Sequence, residues 1–348
     1  MKHASRWRIG LVLAGCVVGV TLLARLFSRA DAAATWAAIG SAGPLLITAL
    51  VPFAIGLTAD AWGMVVLLRA LGHRITLAQV LPVRLASEAL HISMPAGFVA
   101  AETATAAMLQ SRHGVPLRDG IVATLARKWL VMRSHAAYIV VGAIVGFPAL
   151  LVLSRGLLGG KALPWMVLAS ALVPLSLSAA LASGLLGRST FARLHAALER
   201  IPSRRLQAWL ARNHHEALAT DSQARRLRGA GSATLHATLS FLATWCFEAL
   251  ESALLLHLVG ARIDLGAVFA IEAGLSLVRS AAVLAPSGLG VVDLGYATVL
   301  PLLGADAGAT PAFVLLKRAK EVAWVLIGYA SLAIAPARST DRGVSATA

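Results

Sequence analysis

Two pairs of adjacent cations stand inside apolar stretches of this 348-residue chain, Arg127-Lys128 and Lys317-Arg318. Each pair follows an acid by about 24 residues, Glu102 in the first case and Asp293 in the second. Each acid follows a Pro-x-Gly break: Pro95-Ala-Gly97, or Pro286-Ser-Gly288 running on to Gly290. Glu88 precedes the first break. An ionised side chain at bilayer depth costs roughly 2.5–3.5 kcal/mol on insertion scales. Such residues face inward, where they either pair or line a cavity. Guanidinium and ammonium groups offer donors that suit phosphate. The four cations therefore read as a cavity for an anionic headgroup. Glu102, Asp293 and Glu88 would restrain them in the empty site or carry a coupling proton. The competing reading makes them all structural ion pairs that hold helices together. Glu248 and Glu251 share a helix face, and Lys317 and Glu321 are spaced to pair along their own helix. His91, one turn from Glu88, reads first as a packed, hydrogen-bonded histidine.

What positions these residues is a membrane. The chain is 58% hydrophobic and 14% charged, with a mean hydropathy of +0.77, whereas ordinary globular domains carry about 25% charged residues. A soluble protein of this size could not hide so much apolar surface, and a bilayer can. The net charge of +15 does not indicate nucleic acid, because Arg and Lys gather in short segments between apolar runs, as the positive-inside rule requires. Cys16 and Cys246 lie within apolar runs, and no Cys/His spacing matches a zinc site. Lys2, Arg6 and Arg8 before the first apolar run read as a retained signal anchor.

The expected fold is all-α: a polytopic membrane protein of about six spanning helices plus two re-entrant Pro-Gly hairpins. The spans fall at Ile9–Leu26, Pro44–Leu68, Asp119–Leu153, Ala162–Gly187, Thr234–Val259 and Pro311–Ala335. Asp31–Gly40 reads as an interfacial segment. The membrane halves are 1–187, with a hairpin at 77–110, and 234–336, with a hairpin at 265–303. Between them lies a basic cytoplasmic linker, 188–233, and 337–348 reads as a disordered tail.

The chain also repeats itself. Leu71-Gly-His-Arg-Ile-Thr-Leu77 resembles Val259-Gly-Ala-Arg-Ile-Asp-Leu265. Each is followed by a Pro-x-Gly break, an acid and a basic pair at near-constant spacing. With the N-terminus and the linker both cytoplasmic, three crossings separate the copies and the repeat is inverted. Secondary transporters use this architecture, with broken helices meeting near the midplane. Backbone broken in hydrocarbon is tolerated only against protein or a wet cavity.

The stretch Glu88…Pro95-Ala-Gly97…Glu102, with Met108-Leu109 and Gly114-Val115, resembles the flippase-like family named after the transmembrane region of lysylphosphatidylglycerol synthase. So does Pro286-Ser-Gly288-Leu-Gly290-Val291…Asp293. The resemblance covers about residues 10–335, and the hopanoid-biosynthesis-associated members are the nearest subgroup. It implies a stand-alone member that keeps lipid translocation without the aminoacyl-transferase domain. Asp293 departs from the family, which usually has Glu there.

The chain lacks H-E-x-x-H, G-x-x-x-x-G-K-[ST], G-x-S-x-G, the Rossmann fingerprint and Asp-x-Asp. The expectation is a bacterial inner-membrane lipid translocase with cytoplasmic termini. It would be a transporter rather than an enzyme, with no cofactor or metal and with membrane lipid as partner. The alternatives are a non-catalytic partner of lipid, hopanoid or glycan biosynthesis enzymes, and a membrane transferase.

Overall fold

The computed structural model describes residues 2–94, 97–185, 221–227, 229–282 and 286–334. The expected tail and most of the basic linker lie outside the described residues. Thirteen helices are used below. The first are α1 (Lys2–Ser28), α2 (Ala32–Ala42), α3 (Leu50–Ala70), α4 (Leu77–Ser93), α5 (Gly97–His113) and α6 (Leu117–Val145). Then follow α7 (Phe147–Leu158), α8 (Leu163–Ser170), α9 (Leu172–Leu185) and α10 (Gly231–Leu258). Last come α11 (Leu265–Ala281), α12 (Val291–Leu302) and α13 (Ala309–Ile334).

The chain is an all-helical, multi-pass membrane protein. Among the described residues, four stretches are long and apolar enough to cross a bilayer: Ala32–Ala70, Leu117–Val145, Leu163–Gly184 and Gly231–Leu258. The first joins α2 to α3 through a 3-10 segment, Gly43–Ala49. Asp31 starts α2 by accepting a hydrogen bond from the Ala34 amide at 3.0 Å, satisfying one orphan donor of the first turn. The segment expected at the interface is thus the opening of the longest helical run. The other two expected spans coincide with α1 and α13. The latter is interrupted by Lys317, Arg318, Lys320 and Glu321.

One expected span divides. The stretch read as a single helix over Asp119–Leu153 ends at Val145, and α7 restarts at Phe147. Pro148 explains the break, since it has no amide proton and its ring collides with the carbonyl four residues earlier.

Residues 77–113 form a hairpin rather than one rod. α4 and α5 run antiparallel: Ser87 Oγ and Thr105 Oγ1 lie 2.5 Å apart, and Gly97 tucks beneath the carbonyls of Leu90 and His91. Each arm has 17 residues, about 25 Å at 1.5 Å per residue, against a hydrocarbon thickness of about 30 Å. α11 and α12 make the second hairpin. Tyr296 donates to Glu272 at 2.7 Å, and Gly288 at the tip lies against Arg279. Gly288 and Gly290 there have φ of 67° and 77°, left-handed values that glycine adopts without steric cost, and Ser287 beside them has φ of 51°.

The two halves repeat the same order: a long helix, a glycine turn, a hairpin, another glycine turn and a second long helix. α3, α4, α5 and α6 correspond to α10, α11, α12 and α13. The turns fall at Gly72 and Gly114 in one copy and at Gly260 and Gly304 in the other, all at positive φ. The equivalent helices α3 and α10 pack on each other. Gly56 meets Thr244 and Phe247, and Gly63 meets Phe241, so residue numbers rise along one helix as they fall along the other. These equivalent helices are antiparallel, which makes the copies oppositely oriented. The hairpins are exchanged between halves. α4 packs on α13, where Ser331 donates to the Pro82 carbonyl at 3.2 Å. α11 packs on α6, where His135 and Ser276 are 2.7 Å apart.

Candidate functional site

Charged residues buried in the two halves converge on the space between the hairpins. In the first half, Asp60 of α3 is 3% exposed and Arg84 of α4 is 2% exposed. Arg84 Nε donates to Asp60 Oδ2 at 2.6 Å. Arg127 of α6 donates to Asp60 Oδ1 through Nη2 at 2.7 Å and Nε at 3.0 Å. Its Nη1 reaches Glu102 Oε1 at 2.9 Å. Lys128 approaches the same oxygen only to 3.9 Å and lies over the Phe98 ring.

The second half uses the same elements with different charges. Glu272 of α11 accepts from Lys317 Nζ of α13 at 2.7 Å and from Ser252 and Tyr296. Arg279 bonds to Glu248 of α10. Lys320 bonds to Glu251 at 2.9 Å. Arg318 grips both oxygens of Asp293 at 2.9 Å and bonds to Glu321 at 2.6 Å. Asp293 also accepts from the Gly290 amide at 2.7 Å, closing the start of α12. Its short side chain thus fits a capping position.

A cavity of about 490 Å³ opens between these groups. Of the residues singled out from sequence, Arg127, Lys128, Lys317, Glu102, Glu88, Gly97 and Gly288 line it. Arg318 and Asp293 do not; they pair with each other beside it. Pro95 lies outside the described residues, Pro286 opens the tip turn, and Gly290 caps α12. Glu102 and Asp293 are each held by a cation of their own half, Arg127 and Arg318.

Two further expectations are corrected. Lys317 does not pair with Glu321 along α13. It turns into the core toward Glu272, while Glu321 takes Arg318 and the Ser287 hydroxyl at 3.0 Å. His91 is not packed away either, because it is exposed and faces the cavity. Asp60 and Arg84 have no role in the reading from sequence. The available signal was the cost of a lone charge in an apolar run, which obliges a partner. His135, stacked on Trp245 at 4.2 Å between centroids, also lines the cavity. Among the described residues no group of three or more His, Cys, Asp or Glu is placed to hold a metal ion.

Over residues 12–328 the sequence matches the family described as the lysylphosphatidylglycerol synthase TM region. The chain belongs to that family. The match spans both hairpins, both buried ion-pair groups and the described residues of the polar stretch between them. Family membership therefore attaches to the whole repeated architecture and not to one half. A search of curated proteins finds no match.

Proposed function

We propose that this chain is a bacterial inner-membrane lipid translocase, passing the polar head of a lipid through the cavity while the acyl chains stay in bilayer. The observation that carries this reading is the cavity itself, walled by two oppositely directed hairpins and by ionised side chains from both halves. A polar head leaving water needs such a path, because each unpaired polar group in hydrocarbon costs several kcal/mol. The apolar lining of Phe53, Leu57, Val131 and Leu177 suits the glycerol and upper acyl region of the same molecule.

The orientation belongs to the same proposal. One end of the molecule gathers the 71–74 turn, Asp119, Arg226 and the end of α13. His73 meets Asp119 at 2.8 Å, Arg226 donates to the Leu71 carbonyl, and Arg112 donates to the Leu332 carbonyl. That end also carries Arg69, Arg74 and Arg118, so the positive-inside rule assigns it, the polar stretch and both termini to the cytoplasm. Association with hopanoid biosynthesis rests on the sequence resemblance alone and is proposed on that footing. The chain acts here as a transporter, without catalysis or cofactor.

Reconstitution into liposomes with acyl-labelled lipids tests the proposal. Leaflet exchange well above that of protein-free liposomes supports it. Its absence for every phospholipid and hopanoid offered removes it.

A further inference from the structure

The pairing in the cavity is unequal between the halves, and the inequality marks a subsite. In the second half Arg279 takes Glu248, Lys317 takes Glu272 and Lys320 takes Glu251. In the first half Asp60 is held by Arg84 and Arg127, and Glu102 by Arg127. His91 occupies the place that corresponds to Arg279, and Asp60 the place of Glu248. Asp60 is already saturated by two arginines, so His91 is left facing the cavity. Glu88, one turn before it, has no hydrogen bond or ion pair among the described residues. The corresponding residue in the other half is Ser276, a neutral group bonded to His135. Lys128 is the loosest of the cavity cations, 3.9 Å from its acid and with its side chain 30% exposed. Glu88 and Lys128 line the same cavity.

A carboxylate without a hydrogen bond and a loosely held ammonium in one cavity suit a group that carries both charges. An anionic head alone would leave Glu88 facing it in a low-dielectric site, where like charges repel strongly. A head with both charges satisfies both residues. The cationic part must also be an N–H donor. Each aromatic ring of Phe and Trp that lines the cavity already has a neighbour on one face: Phe98 has Lys128, Phe241 has Arg127, Phe53 has Lys320 and Trp245 has His135. A quaternary ammonium is recognised by a cage of several open aromatic faces, and rings already engaged in this way make a poor cage. Resting on the translocation reading above, we propose that the cavity selects a zwitterionic phospholipid, its phosphate on Lys128 and its primary ammonium on Glu88 with His91 alongside.

The test uses the full chain in liposomes with three acyl-labelled lipids that differ only in headgroup: phosphoethanolamine, phosphocholine and phosphoglycerol. The wild type should exchange the phosphoethanolamine lipid about tenfold faster than the other two, the factor expected for one charge-assisted hydrogen bond. Glu88→Gln should abolish that preference, Glu88→Asp should retain it, and Lys128→Gln should slow all three lipids alike. Fastest exchange of the phosphoglycerol lipid, or a preference that survives in Glu88→Gln, overturns the proposal. If Glu88→Gln melts early, the wild-type ranking decides alone.

If no lipid exchanges, the translocation reading fails, and retention of the same lipids by purified protein in micelles still judges the subsite. Preferential retention of the phosphoethanolamine lipid supports it, and equal retention overturns it. Glycerophosphoethanolamine in excess should displace that lipid only partly. Complete displacement at equal concentration would make the free phosphodiester the ligand and overturn the assignment to a lipid.

Discussion

Arg84 and Glu272 stand at matching positions of α4 and α11, the first arms of the two hairpins, and carry opposite charges. Each is buried and each meets the long helices of its own half, Arg84 through Asp60 and Glu272 through Lys317. The repeat preserves the place of an ion pair while inverting its polarity. An inward-facing charge at that depth is obligatory for packing, and its sign is set by whichever partner the neighbouring helix supplies.

Asp60→Asn should therefore destabilise the protein by about 3–5 kcal/mol, because two buried arginines lose their shared counter-ion. Lys128→Gln should change stability by less than about 1 kcal/mol, since its ion pair is long and partly exposed. Thermal unfolding in detergent checks both. Equal melting temperatures for the two variants would mean that the Asp60 group is not structural.

Gly63 sets how closely α3 and α10 approach. A Cβ there would lie 2.5 Å from the Phe241 ring, and small residues permit such close packing between membrane helices. Gly63→Ala should cost about 1–3 kcal/mol through overpacking. Gly40→Ala, with nothing near the added carbon, should leave the melting temperature unchanged or slightly raised. A Gly63→Ala protein as stable as the wild type would show that these helices do not meet there.

Inversion of the repeat makes a prediction about sidedness. Arg74 and Arg262 are exposed, equivalent residues in the turns after α3 and α10. With Cys16 and Cys246 changed to Ser, Arg74→Cys and Arg262→Cys should react with a membrane-impermeant maleimide from opposite faces of the membrane, Arg262→Cys from outside in intact spheroplasts. Labelling of both from one face would mean that the repeat is parallel.

The sequence carried much of this. The membrane class, the two breaks, the order of the repeat and the basic pairs all follow from local pattern, because hydropathy and Pro-Gly placement act within a few turns. Glu102 and Asp293 were legible as restraints on the basic pairs, but the partners Asp60, Arg84 and Glu272 were not, since they join elements that only tertiary packing brings together. Arg127 could have taken Glu102 or Glu88 by spacing alone. That it takes Asp60 as well as Glu102 depends on α3 lying against α6. Lys317 shows the same limit. The four-residue spacing to Glu321 is favourable on an isolated helix, yet a buried carboxylate on α11 gives a stronger, less screened partner than a neighbour along the helix. The division at Gly146 was within reach, because Pro148 marks it.

Closing the cavity while sparing its charges addresses the central claim most directly. Val131 and Ala282 line it from the two halves. Leaflet exchange should be measured for wild type, Val131→Trp and Ala282→Trp at matched incorporation and with comparable melting temperatures. The account predicts rapid exchange by wild type and exchange near the protein-free level for both tryptophan variants. Variants that remain folded and move lipid as fast as wild type would contradict a pathway through this cavity.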